Sequence, residues 1–302
     1  MKTLVTGGAG FIGSNLVDRL IEENFDVVVI DNLESGYSKN LNSKAEFYQL
    51  DLTKKENEET ILSALNGVDY VFHLAALPRV QPSIENPQKY HDVNVNATLR
   101  MLKLSNESGV KRFVFTSSSA VYGDTDQFPT SESAELNPLS PYGLHKLIGD
   151  QYCKLFSSIY DLETVCLRYF NVFGERMPME GDYSLVMAVF AKQMLDKKPM
   201  TIRGDGEQKR DFVYVGDVAR ANILAAITPN IGAGEVFNIG SGQNRSVNQI
   251  AALMGGETKN IDPVIEPRIT WCDTSKALEL LSWQPTVYVE DWIPIWKNQI
   301  DL

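Results

Sequence analysis

The sequence predicts an α/β protein: a doubly wound parallel (Rossmann) sheet with a smaller α/β lobe intertwined with it. Three observations carry this. Over the first half, strand-length apolar runs at 3–6, 27–30, 47–50, 68–73, 113–116 and 164–167 alternate with amphipathic stretches of helical length. Continuous apolar runs read as parallel strands buried on both faces, and the alternation reads as βαβ crossovers. The first run passes directly into Gly7-Gly8-Ala9-Gly10-Phe11-Ile12-Gly13, a glycine turn opening a helix. After Tyr169 the rhythm breaks into a Gly/Pro/Met loop, a helix from about Tyr183 to Lys197, short strands at 200–203 and 236–239, and helices at 217–227 and 247–254. No Gly/Ser linker divides the chain. Residues 1–168 are therefore expected to form the first domain, with a returning segment at about 211–238, while 169–210 and 239–302 build the second lobe.

Composition narrows the function. The 302 residues suffice for a sizeable core, and 43% hydrophobic with 22% charged residues is the balance of a folded chain. Twenty-eight Lys plus Arg against 39 Asp plus Glu leave a net charge of −11, without the basic footprint of a nucleic-acid binder. A small anionic ligand stays compatible, because a few local donors outweigh a diffuse field. Cys153, Cys166 and Cys272 form no CxxC pair and the chain has 3 His, so disulfide and zinc frameworks fit poorly and no metal is expected. No apolar run is long enough to span a membrane, and MKTLVTGGAG enters a strand and turn directly, so a cytoplasmic, reduced setting is expected.

The glycine turn has a specific physical use. Its first glycines allow a tight turn and close approach of backbone to a pyrophosphate at the helix N-terminus, and Gly13 allows the helix to pack on the strand. The next strand ends at Asp31, at the spacing where a carboxylate holds the ribose hydroxyls of an adenosine. Asn32 and Leu33 follow with no Arg nearby, and a carboxylate repels a 2′-phosphate, which favours NAD over NADP. Asp51 and Leu52 end the third strand, where Asp51 reads either as part of an adenine edge or as a helix N-cap.

Tyr142 and Lys146 sit four apart on a helix started by Pro141, so hydroxyl and ammonium share one face. A phenol with pKa about 10 needs a shift of roughly three units, about 4 kcal/mol, to act as a base near neutrality. A Lys cation and a positive nicotinamide ring would supply it. Taken alone, the pair also reads as a surface pair. The run Thr116-Ser117-Ser118-Ser119-Ala120-Val121-Tyr122-Gly123 follows the fifth strand and places hydroxyls at the carboxyl end of the sheet, where ligands bind. Alone, it also reads, less well, as a Ser-rich turn satisfying its own backbone.

With those residues in view, the chain resembles the extended short-chain dehydrogenase/reductase family, and within it the UDP-sugar 4-epimerases. TGGAGFIG, DNL at Asp31, HLAA at 73–76, SSSAVYG, SPYGLHK and RYFNVFG at 168–174 carry the likeness, which runs on through GDGEQKRDFVYVGDV to DTSKALELLSWQP and so covers nearly the whole chain. The resemblance implies that Tyr142 is the base, Lys146 its partner and ribose anchor, and Ser118 the hydroxyl donor. It implies an NAD pocket of Gly7, Gly10, Phe11, Ile12, Gly13, Asp31, Asn32, Ser35, Gly36, Asp51, Leu52, Leu74, Ala75, Ala76, Asn94, Ser117 and Tyr169, together with Tyr142 and Lys146. It implies a UDP-sugar site of Arg79, Ser83, Ser118, Ser119, Tyr142, Asn171, Val186, Phe190, Arg210 and Arg268. An Arg suits a diphosphate because its planar fork stays charged; by itself Arg210 reads equally as a solvated charge.

The implied reaction inverts carbon 4 of a UDP-hexose through a transient 4-keto sugar. Dehydratases and decarboxylases of the family carry an acidic residue just before VYG, where this chain has Ser119 and Ala120. The other readings are a UDP-uronate epimerase, such a dehydratase or decarboxylase, or a non-catalytic NAD-binding protein. The family's loop before DxSKA is shortened here, as Glu266 to Cys272 run almost directly into Asp273, and the sugar stays open among glucose/galactose, their N-acetyl derivatives and the uronates. Finally, Leu99, Met101, Leu102 and Leu104, and Leu144, Leu147, Ile148, Tyr152, Leu155, Phe156 and Ile159, give two helices wider apolar arcs than one core face needs. Burial in a large monomer would account for this. A homodimer with a four-helix interface also would, and the resemblance implies it.

Overall fold

The computed structural model describes residues 1–179, 185–263 and 267–302. The described strands are β1 (Lys2–Thr6), β2 (Asp26–Asp31), β3 (Glu46–Gln49), β4 (Tyr70–His73), β5 (Arg112–Ser118), β6 (Glu163–Tyr169), β7 (Asn171–Phe173), β8 (Met200–Arg203), β9 (Lys209–Tyr214), β10 (Ala233–Ile239), β11 (Asn244–Ser246) and β12 (Thr258–Ile261). Seven of them form one parallel sheet in the order β10-β6-β5-β4-β1-β2-β3. The chain order reverses between β1 and β4, which is where a doubly wound sheet opens a crevice at the carboxyl ends of its strands.

The helices are α1 (Phe11–Glu22), α2 (Glu58–Ala64), α3 (Val80–Glu85), α4 (Pro87–His91), α5 (Ala97–Glu107), α6 (Pro141–Ile159), α7 (Val186–Leu195), α8 (Val215–Ile227), α9 (Val247–Met254), α10 (Ser275–Leu281) and α11 (Val289–Gln299). One sheet face is covered by α1 and α8, whose Leu16, Val17, Leu20, Val218 and Ile223 meet Val5, Val29 and Phe72. On the other face, Met101, Leu102 and Leu104 of α5 and Cys153 and Phe156 of α6 pack against Leu4, Val28 and Phe115. Each such side chain contributes about 1.5–3 kcal/mol by leaving water. Among the described residues, no helix is long and apolar enough to cross a membrane.

A second lobe has its own core of Phe173, Met187, Phe190, Met200, Ile250, Trp292 and Trp296. It holds the small sheets β11-β9-β7 and β12-β8. The chain then returns to the large sheet with α8 and β10, the latter pairing with β6. The strands expected at 200–203 and 236–239 form, as do the helices at 217–227 and 247–254, within a few residues. The helix expected from Tyr183 is described from Val186 on; Tyr183 and Glu266 lie outside the described residues.

The wide apolar arc expected on α5 has a different destination. Leu104 is 1% exposed, and Met101 and Leu102 are fully buried between the sheet and the neighbouring helices, so these residues are core and offer no partner-facing surface. On α6 the surplus is real: Leu144, Leu155 and Ile159 stay 47%, 44% and 60% exposed.

Candidate active site

The glycine turn is dictated by contact as well as by conformation. Gly7 has φ +73°, and a Cβ there would stand 2.8 Å from the Ala75 amide nitrogen; at Gly13 a Cβ would fall 2.1 Å from the Gly7 carbonyl oxygen. Only bare backbone lets β1, α1 and the 74–76 loop meet this closely. Gly10 caps α1 without a side-chain hydrogen bond, and no acidic residue lies in the first turn. The helix therefore presents its first N–H groups and positive dipole end to an anion.

Asp31 lies beside this turn. Its Oδ2 accepts from the Ala9 amide at 3.0 Å and its Oδ1 from the Leu33 amide at 2.8 Å. Each oxygen keeps a further acceptor site for a ribose hydroxyl. Gly36 packs so closely that a Cβ would lie 3.1 Å from Asp31 Oδ1, while Asn32 turns its Oδ1 to the Glu34 amide, with Ser35 between them in the loop. Asp51 Oδ1 accepts from both the amide and the hydroxyl of Thr53, at 2.8 and 2.7 Å, which closes a local turn; the expected helix N-cap does not form, since the helical turns that follow start at Lys55 and Glu58 with Lys54 and Asn57 in front of them. Leu52 beside it is buried. Asn94, in a one-turn π-helix at Asp92–Asn96, spends its amide on the Leu77 backbone in both directions, 2.8 and 3.0 Å. It thereby pins the loop carrying Leu74, Ala75 and Ala76.

The candidate base follows from how α6 starts and where it lies. Ser140 caps it by accepting from the Gly143 amide at 3.2 Å, with Pro141 at the first helical position. A Cβ at Gly149 would be 2.2 Å from the Phe115 ring, so the missing side chain lets α6 settle onto β5. The Tyr142 hydroxyl then lies near enough to the Ser118 side chain to feel its hydroxyl. One turn on, Lys146 donates to the Thr116 carbonyl at 2.7 Å and lies 5.1 Å above the Phe115 ring.

Desolvation dominates the electrostatics here. Burial pushes the Tyr142 phenol above its ordinary value, against which the nearby Ser118 hydroxyl acts downward. Burial also pulls the Lys146 ammonium down to about 8. The protein alone thus holds a neutral phenol, because desolvation outweighs a single hydroxyl partner. Nearby, Tyr169 is buried with its hydroxyl between Thr116 Oγ1 at 3.2 Å and Asn222, and burial raises it to about 12. Ser117 is buried at the end of β5.

Other expected residues spread over two sides. Ser83 accepts from the Tyr142 amide at 3.1 Å and donates to the Val80 carbonyl at 2.6 Å, which ties α3 to the start of α6. Arg79 is buried at the start of α3, and Ser119 is half-buried in the turn after β5. Across the crevice, Asn171 donates to the Asp211 carbonyl at 2.9 Å, and Arg210 sits half-buried on β9 with Nη1 on the Lys209 carbonyl. Val186 is half-buried at the start of α7, but the Phe190 ring is 0% exposed in the lobe core, where it packs rather than lining a cavity. Arg268 makes a bidentate pair with Asp205, at 2.9 and 2.8 Å, on the surface.

Residues 3–240 match the model of the NAD dependent epimerase/dehydratase family. The chain belongs to this family. It is 42% identical over 298 residues to a putative UDP-glucose 4-epimerase of Methanocaldococcus jannaschii, covering 96% of this chain and 95% of that protein. Among solved structures, it superposes with TM-score 0.93 and 40% identity on a UDP-glucose 4-epimerase of Thermotoga maritima holding UDP-glucose, covering 99% and 100% of the two chains. A UDP-N-acetylglucosamine 4-epimerase of Methanobrevibacter ruminantium, in complex with UDP-N-acetylmuramic acid, gives TM-score 0.90 at 34% identity over 99% and 98%.

The family's NAD fits the residues present. The turn has no room for a Cβ at Gly7, Gly8 or Gly13, α1 offers an anion site, and Asp31 stands with acceptor capacity to spare beside them. Two features of this family member were not read from the sequence. Asp211 is a fully buried carboxylate whose only sequence signal is its place after Arg210. The segment after Arg268 runs extended, joined to Lys209 and Thr130 by backbone hydrogen bonds of 2.7–3.0 Å.

Proposed function

We propose that this chain is an NAD-dependent UDP-hexose 4-epimerase. The observation that carries the reading is the placement of Tyr142 beside Ser118 with Lys146, one turn on, fastened to Thr116 at 2.7 Å, at the carboxyl end of the same parallel sheet that carries the glycine turn and Asp31. In this reading Tyr142 takes the proton from the 4-hydroxyl of the sugar and Ser118 holds that oxygen. NAD, held by the Gly7–Gly13 turn and Asp31, would supply reversible hydride transfer at carbon 4 and a positive ring that favours a phenolate. The 4-keto sugar turns over between the two transfers and Tyr142 gives its proton back, so carbon 4 inverts with no net oxidation. Lys146 anchors a ribose and stabilises the phenolate by its charge.

Arg210, Arg268 and Asn171 hold the nucleotide diphosphate, for which Arg268 exchanges its surface partner Asp205. Ala120 has no proton to give, which argues against water elimination. The short Thr270, tied back by the Asn171 amide at 3.4 Å and the Asp211 amide at 3.2 Å, supports room for an acetamido group beside carbon 2. The substrates are then UDP-glucose/galactose and their N-acetyl derivatives. Residues 1–168 with about 211–238 bind the cofactor, and 169–210 with 239–302 the substrate. Two copies pair through the exposed α6 stripe. The test is conversion of UDP-glucose and UDP-N-acetylglucosamine by purified protein without added NAD. Epimer formation without NADH accumulation supports the reading, and no conversion, or stoichiometric NAD consumption, overturns it.

A further inference from the structure

Asp211 is the point at which three separated segments meet. Its Oδ1 accepts from the Ser241 amide at 2.6 Å and the Ser241 hydroxyl at 2.8 Å, and its Oδ2 from the Cys272 amide at 3.0 Å. Its own amide donates to Thr270 Oγ1 at 3.2 Å, and its carbonyl accepts from Asn171 at 2.9 Å. Ser241 lies just past β10 of the large sheet, Asn171 opens β7, and 270–272 belong to the segment between Arg268 and α10. The neighbouring chain is built around this carboxylate: a Cβ at Gly240 would stand 2.4 Å from Cys272 Cβ and 3.1 Å from Asp211 Oδ1.

We infer that Asp211 is a positioning residue for the nucleotide half of the substrate, holding Arg210, Asn171 and Thr270 in register without touching the ligand. This rests on the reading of Arg210 and Asn171 as the diphosphate grip. A neutral amide cannot replace the carboxylate, since both oxygens accept from backbone N–H groups and an Asn would turn its NH2 against one of them. The chemical centre is supported separately, with Tyr142 held by Ser83 and Lys146 by Thr116. Loss of Asp211 is therefore felt in substrate affinity rather than turnover.

The test is Asp211→Asn in the NAD-loaded protein, followed by kcat and KM for UDP-glucose, the affinity for UDP by calorimetry, and NAD content after purification. Expected are a KM and a UDP dissociation constant raised about tenfold, kcat within about threefold, and full NAD content. Unchanged KM and UDP affinity, or a fall in kcat at unchanged KM, overturns the inference. If Asp211→Asn does not fold, Thr270→Val removes the hydroxyl that joins Asp211 to Asn171; a raised KM supports the inference and an unchanged one overturns it. A parent protein that neither binds UDP nor converts UDP-glucose overturns the functional reading itself, whereas an active parent with an unresponsive variant overturns this inference alone.

Discussion

Lys146 donates to the carbonyl of Thr116 at 2.7 Å, two residues before Ser118, and burial lowers its ammonium to about 8. The helix carrying the candidate base is thus fastened to the strand carrying the candidate hydroxyl by the very side chain that would stabilise a phenolate.

Tyr142→Phe removes only the ionisable oxygen. The variant should keep NAD and the parent's melting temperature while kcat for UDP-glucose falls about a thousandfold. Activity within about a factor of two of the parent removes Tyr142 from the base role.

Asp31→Ala should lose both the ribose acceptor and the repulsion of a 2′-phosphate. It also frees the Ala9 and Leu33 amides, which loosens the turn itself. NAD affinity should fall tenfold or more, by about 1.4 kcal/mol at least, and discrimination against NADP should narrow. Full NAD occupancy in the purified variant contradicts the assignment.

His73 predicts an acid-side stability slope. Buried between the Thr6 hydroxyl at 2.8 Å and the Thr98 hydroxyl at 3.0 Å, it is pushed by burial from 6.5 to about 3. The unfolded chain binds this proton first, so stability from the neutral ring is present above about 6.5 and is lost as pH falls toward about 3, at roughly 1.4 kcal/mol per unit. Urea denaturation of the parent between pH 7 and 5 should show the slope, and His73→Gln should reduce it by about one proton's share, leaving the part due to His145, which burial lowers to about 4. An equal slope in both proteins assigns it to other groups.

The α6 surface predicts assembly. Light scattering should give about twice the 33.8 kDa chain mass, and Leu155→Glu or Ile159→Glu should shift it toward monomer. Leu104→Glu should instead unfold the chain, because its side chain lies in the core. A parent that stays monomeric at micromolar concentration rules out the α6 pairing.

Local signals in the sequence determined much of this molecule. Continuous apolar runs placed the first six strands, the glycine turn placed the start of α1, and Pro141 the start of α6. Helical spacing put Tyr142 and Lys146 on one face, but only the surrounding motifs, in order along the chain, set them apart from a surface pair; Asp31 was legible because a strand end after a glycine turn has few other uses. These features depend on neighbours close in sequence.

What only the tertiary structure decided depends on partners far apart in the chain. The segment Lys209–Tyr214 reads as part of a glycine-rich loop until β7 and β11 arrive to pair with it. Leu104 could not be told from an interface residue, since burial within one copy and burial between copies leave the same pattern on a helix. Arg268 declared its charge but not its surface pairing with Asp205. Asp211 gave no sign of being a hub, because its partners Asn171, Ser241 and Cys272 reach it only through folding. The Tyr142 phenol could not be predicted to sit above its ordinary value, as the controlling quantity is desolvation, which no spacing of residues records.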